Sequence, residues 1–180
     1  MRAGLIVFLL ASGCVTTPKP LAEAEFGLRL SPASLGRELQ LFQRVTVVRG
    51  QERRSFDAQL EVDGSAVRIA AVAMGQTVAT LVWDGTRLEQ KVSVHVPPSV
   101  TASRILSDVQ LAWWPAEAIK AGLPAGYSLE EANGTRVVTQ DGRAFASVAY
   151  EGAAPAWKIV RLTQQRYGYE LEIESVEAAP

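Results

Sequence analysis

The sequence predicts a mainly β protein of the α+β class: a curved antiparallel sheet of about ten strands around a helix packed on its concave side. Three observations predict it. Apolar residues recur at period two from Leu39 to Val96 and again from Tyr127, the spacing of half-buried strands. Asx-Gly pairs at 63–64, 84–85, 133–134 and 141–142 punctuate these runs as hairpin signals. Between the two halves, Pro97-Pro98 ends the first series and residues 101–114 switch to a helical period.

In chain order, Leu39, Leu41, Val45 and Val47 share one strand face. Phe56, Ala58, Leu60 and Val62 share another, with Arg54, Asp57, Gln59, Glu61 and Asp63 opposite. Val67 and Ile69 follow the first turn, and Ala79, Leu81 and Trp83 precede the second. Leu88, Val92, Val94 and Val96 close the first meander. Ala102, Ile105, Leu106, Val109, Ala112 and Trp113 then fall within an arc of about 120° on a helix. Arg104, Ser107, Asp108 and Gln110 lie outside that arc, but so do Leu111 and Trp114. Ala116–Ala121 reads as a second short helix ended by Gly122. In the last strand, Tyr167, Tyr169, Leu171 and Ile173 alternate with Glu170, Glu172 and Glu174.

The first residues read as an address. Arg2 precedes the apolar run Leu5–Leu10, then Ala11-Ser12-Gly13 and Cys14. That run is too short to span a bilayer, which takes about 20 residues. It reads as a cleaved signal, with Leu10–Cys14 resembling a lipobox in which the cysteine becomes an acylated N-terminus. Cys14 is the only cysteine, so no intramolecular disulfide explains it. The expected organisation is a signal at 1–13, a lipidated flexible tether at 14–34 with a first short element near Phe26–Leu30, and one β-rich domain at 35–177. Two or more acyl chains hold a protein stably on a membrane, whereas one does so marginally.

Composition narrows the partners. Removing Arg2 leaves 17 basic against 19 acidic side chains with no basic run, so nucleic acid is not an expected partner. No reaction motif stands out. His95 is the only histidine, on the expected exposed side of a strand, and no G-x-S-x-G elbow accompanies it. One histidine and one lipidated cysteine do not make a zinc site, and there is no acidic calcium loop. Glu130 and Glu131 are adjacent on a strand and so point to opposite faces. Neither a catalytic residue, a metal nor a cofactor is expected.

The aromatic pair Trp113-Trp114 has two readings. In the plainer one, Trp113 is core and Trp114 caps the helix near Pro115. In the functional one, the helix covers a concave apolar pocket. Its lining candidates are then Leu60, Val62, Val67, Ile69, Leu81 and Trp83 from the sheet, with Ile105, Val109 and Trp113 from the lid. Leu111 and Trp114 are the candidates for an exposed apolar surface on its other side.

Several stretches together resemble a bacterial lipoprotein family classed as a domain of unknown function. They are Leu35-Gly36-Arg37, Val45–Gly50, Phe56–Gly64, Gly75–Gly85, Leu106–Pro115, Tyr150-Glu151-Gly152 and Tyr167-Gly168-Tyr169 running to Glu174-Ser175. Members are often encoded beside fatty-acid-synthase-like genes for aryl polyenes or related envelope lipids. The family is similar to the LolA/LolB lipoprotein carriers, which implies an unclosed barrel with a helical lid over an apolar cavity. Val15 after Cys14, in place of Asp, fits the usual signal for outer-membrane sorting in such lipoproteins.

The expected function is a non-enzymatic, outer-membrane-anchored periplasmic lipoprotein that binds lipid, polyene or lipoprotein ligands. The alternative is a structural or assembly partner of another envelope protein, using strand edges or a Trp114 patch. An esterase or acyltransferase ranks third, for want of a nucleophile motif.

Overall fold

The computed structural model describes residues 26–93, 100–152 and 157–178. Cys14, the signal, residues 15–25, His95 and Pro97-Pro98 lie outside them.

Five strands come first: β1 (Leu39–Arg49), β2 (Glu52–Val62), β3 (Val67–Ala73), β4 (Gln76–Trp83) and β5 (Leu88–Val92). Helices α1 (Ala102–Trp113) and α2 (Ala116–Gly122) follow. Strands β6 (Tyr127–Ala132), β7 (Thr135–Gln140), β8 (Arg143–Gly152), β9 (Trp157–Gln164) and β10 (Tyr169–Glu177) complete the chain. The strand–helix–strand order is the one the periodicities predict.

All ten strands form one antiparallel sheet in the order β5-β4-β3-β2-β1-β10-β9-β8-β7-β6. The first and last strands are therefore central neighbours, with Val45 opposite Ile173 and Leu41 opposite Glu177. The edges β5 and β6 do not pair, so the sheet stays open. Laid flat, ten strands would span about 43 Å, whereas a 12-residue helix is about 18 Å long. Yet α1 packs on edge strand β5 and on β9, while α2 packs on the opposite edge, β6. Only a sheet curled around the helices allows those contacts.

The turns divide into two kinds. Asn133-Gly134 and Asp141-Gly142 are two-residue hairpins in which both residues have positive φ. The pairs at 63–64 and 84–85 instead open four-residue loops. There Asp63 Oδ1 accepts from the Ser65 and Ala66 amides, and Asp84 Oδ1 from those of Thr86 and Arg87. The Asp side chain makes both turns, and only Gly85 adds a positive φ. Met74-Gly75 forms a third positive-φ hairpin with no Asx residue, and Met74 is fully exposed.

Helix α1 begins at Thr101, whose Oγ1 accepts from the Arg104 amide. It ends because Trp114 precedes a proline, which disfavours helical backbone; Trp114 has ψ 151°. One expectation for α1 needs correction. Leu111 and Trp114, predicted as exposed apolar surface, are both 0% exposed, and Ser107, Asp108 and Gln110 are also buried. The sheet covers one side of the helix, and residues 26–35 cover much of the other.

The tether is corrected for the same reason. Phe26, Leu28, Leu30 and Leu35 belong to the core, so the folded part includes residues 26–34. The alternation of Phe26, Leu28 and Leu30 is the sequence signal for an extended segment with one buried face.

Candidate functional site: the interior of the curled sheet

The site is the space between the concave sheet face and α1. Leu60 and Val62 on β2, Val67 on β3, and Leu81 and Trp83 on β4 are all buried there. Trp113 is buried too, while Ile69, Ile105 and Val109 are half-buried against the same cluster. The structure thus gathers all nine lining candidates around one interior. Sequence periodicity missed what occupies it.

Residues 26–35 run through this interior as an extended strap ending in a 3-10 turn, Pro32–Leu35. The strap joins no strand of the sheet, and apart from Ser34 N to Ser31 O in its turn, side chains supply its hydrogen bonds. Leu28 N donates to Ser107 Oγ at 2.9 Å. Gln110 grips Leu30 from both sides, accepting from its amide at 3.2 Å and donating to its carbonyl at 2.9 Å. Trp83 Nε1 donates to the same carbonyl at 2.8 Å. Trp114 Nε1 reaches Ser31 O at 3.3 Å and Ser34 Oγ at 3.0 Å. Burial of both indoles and of the Gln110 amide is tolerable because each has a partner.

At the other end of the strap, Phe26 enters an aromatic cage. Its ring lies 4.7 Å from Phe145 and 5.0 Å from Tyr127, and Phe145 is 5.9 Å from Tyr167. Its amide donates to Tyr167 Oη at 3.3 Å. Close by, the Arg104 guanidinium stacks 3.9 Å over the Tyr167 ring.

Asp108 is the one carboxyl among the buried groups. Its Oδ2 accepts from Tyr169 Oη and its Oδ1 from Gln164 Nε2, both at 2.5 Å. Burial pushes its pKa up to about 7, although both hydrogen bonds and the Arg104 charge pull the other way. These contacts tie α1 to β9 and β10. No histidine, cysteine or second carboxylate joins Asp108 in a catalytic or metal-binding set: among the described residues no group of three or more His, Cys, Asp or Glu converges. Nor is any described helix long and apolar enough to cross a membrane.

These features define a class: an open, curled antiparallel sheet holding helices and an extended strap against an apolar concave face. The chain belongs to the DUF3261 family of proteins of unknown function, whose model matches residues 40–177. That is the resemblance the sequence carries. Among solved structures it is similar to a LolA superfamily protein from Nitrosomonas europaea, at 10% identity and TM-score 0.43, over 84% of this chain and 93% of that one. It is also similar to a DUF1329 family protein from Desulfovibrio piger, at 11% identity and TM-score 0.41, over 81% and 87% of the two chains. No curated protein matches.

Proposed function

We propose that this chain is a lipid-anchored envelope protein that holds an acyl or polyene chain in the interior of its curled sheet, without catalysing a reaction on it. One observation carries the reading. The concave face is mainly apolar from β4 to β9, with Gln43 and Gln164 as buried polar exceptions, and α1 closes over it while edges β5 and β6 stay apart. An interior of that kind recognises hydrocarbon by burial, worth about 0.8 kcal/mol per methylene removed from water. The lipobox-like run at Cys14 supports attachment to a membrane, and Val15 supports the outer one. The resemblance to lipoproteins encoded beside envelope-lipid genes supports the ligand class.

Native mass spectrometry of the full chain, gently extracted from membranes, tests this. The expected result is a bound lipid that leaves on denaturation, in contrast to the covalent acyl chains on Cys14. A mass showing only those covalent chains overturns it.

The second reading, a partner of another envelope protein, is favoured by a different surface from the one expected. Trp114 is buried, but Phe42 and Val176 face each other across β1 and β10 at 54% and 70% exposure. They border a cleft of about 800 Å³ that includes Arg44, Asp57, Lys158 and Glu174. An apolar pair rimmed by charges suits a protein contact. Loss of a co-purifying protein on Phe42→Ser, with no bound lipid in the wild type, supports this reading over the first.

A further inference from the structure

We propose that the entry point of the apolar ligand is the space now filled by Phe26 and Leu28, and that these residues form a displaceable arm standing in for the ligand. The proposal rests on the lipid-holding reading above and specifies where and how that ligand is admitted.

The strap has two unlike halves. From Leu30 onward it cannot leave cheaply. Gln110 is fully buried and spends both ends of its amide on Leu30, while Trp83 and Trp114 spend their indole N–H groups on Leu30, Ser31 and Ser34. Withdrawal of this stem would strand three buried polar groups, and no hydrocarbon can satisfy them.

The arm ahead of it is held differently. Leu28 N is bound only to Ser107 Oγ, and that hydroxyl already donates to Ser103 O at 2.8 Å. Phe26 N has only the long bond to Tyr167 Oη, on a tyrosine that is partly exposed. Among the described contacts, departure of the arm therefore leaves no further buried donor without an acceptor. What it vacates is apolar: the side-chain spaces of Phe26 and Leu28, walled by Tyr127, Phe145 and Tyr167. An extended hydrocarbon matches that shape and chemistry, and it regains the burial that the two side chains give up. The arm also leads directly into residues 15–25 and Cys14, so its release lengthens the membrane tether.

A reversible lock tests this. A Cβ placed on Gly27 would lie 3.2 Å from Ser103 Oγ. Ser103 Cβ itself lies just beyond 4 Å, so cysteines at both positions stand at the long end of the Cβ–Cβ spacing of a disulfide, about 3.5–4.5 Å. Cys14 is the only native cysteine and is acylated in this reading, so Gly27→Cys with Ser103→Cys supplies the only free pair. The full acylated chain in phospholipid nanodiscs is photolysed with a diazirine-bearing fatty acid, and labelled peptides are mapped by mass spectrometry. The wild type and the reduced variant are expected to carry label on the peptides of Tyr127, Phe145 and Tyr167. Oxidation is expected to abolish that label and reduction to restore it, which also shows that the variant folds. Undiminished label in the oxidised form overturns the displaceable arm while leaving lipid holding intact. Interior peptides unlabelled in every form overturn both.

Discussion

Asp108 lies outside the apolar arc of its helix, yet it is buried against Tyr169 and Gln164. An ordinary aspartate gives up its proton near pH 4, whereas burial lifts this one to about pH 7. Between those values the folded state holds the proton and the unfolded state does not. Stability therefore falls as pH rises from about 4 to about 7, by roughly 4 kcal/mol at most from this group. Asp63 and Asp84, whose hydrogen bonds hold their carboxyls below the usual range, act in the opposite sense and only below about pH 4. Asp108→Asn is expected to flatten the upper slope. Its amide still accepts from Tyr169, and it can donate to Gln164 Oε1, which has no partner among the described residues. Urea midpoints across that range check this; an unchanged slope in the variant excludes Asp108 as its source. Periodicity marks which residues are polar, but it does not reveal that a polar residue has a buried partner on a strand more than fifty positions away.

Helix α1 owes its place to contacts from several strands. Arg136 on β7 donates from one nitrogen to Leu111 O at 3.0 Å and Trp114 O at 2.7 Å, covering carbonyls left open at the helix end. The same side chain pairs with Glu131 and stacks 5.2 Å from the Tyr150 ring, while Tyr150 Oη donates to Ala112 O. Arg136→Met keeps the stem but leaves those carbonyls without their donor. It is expected to cost about 2–3 kcal/mol. Arg136→Lys should recover only part, because an ammonium cannot reproduce the planar fork that serves two carbonyls and a carboxylate together. Chemical denaturation of the three proteins measures both effects, and equal stability of Lys and Arg contradicts this account. The existence of α1 was legible from its apolar spacing. Its complete burial was not, because the strap covering its second side lies some 75 positions earlier and reads alone as a proline-rich tether.

On the scale of the whole molecule, the proposed membrane anchor and the interior are separable. Under that proposal, replacing Cys14 by serine removes the acyl chains without touching any described residue. Such a chain is expected to leave the membrane fraction and remain folded, with an unchanged unfolding midpoint. Tight retention after carbonate washing would sink the lipid-anchor reading. The described fold already includes Phe26, so residues 26–34 are not part of the tether that the prolines suggest.

What the sequence alone determined follows from short-range regularities. Period-two alternation set ten strands, the change of period set the helical insertion, and Asx-Gly pairs placed turns, two of them in the positive-φ form. Tertiary structure decided the rest, because it depends on pairs distant along the chain. The β1–β10 pairing puts the first and last strands of the chain at the centre of the sheet and leaves β5 and β6 as free edges. The curl then encloses α1, moving Leu111 and Trp114 from an expected surface into the core. Finally, side chains of α1 and β4, rather than a neighbouring strand, satisfy the backbone of residues 26–35. A strap held that way has no strand-pairing signature in the sequence, and only the assembled interior shows where it lies.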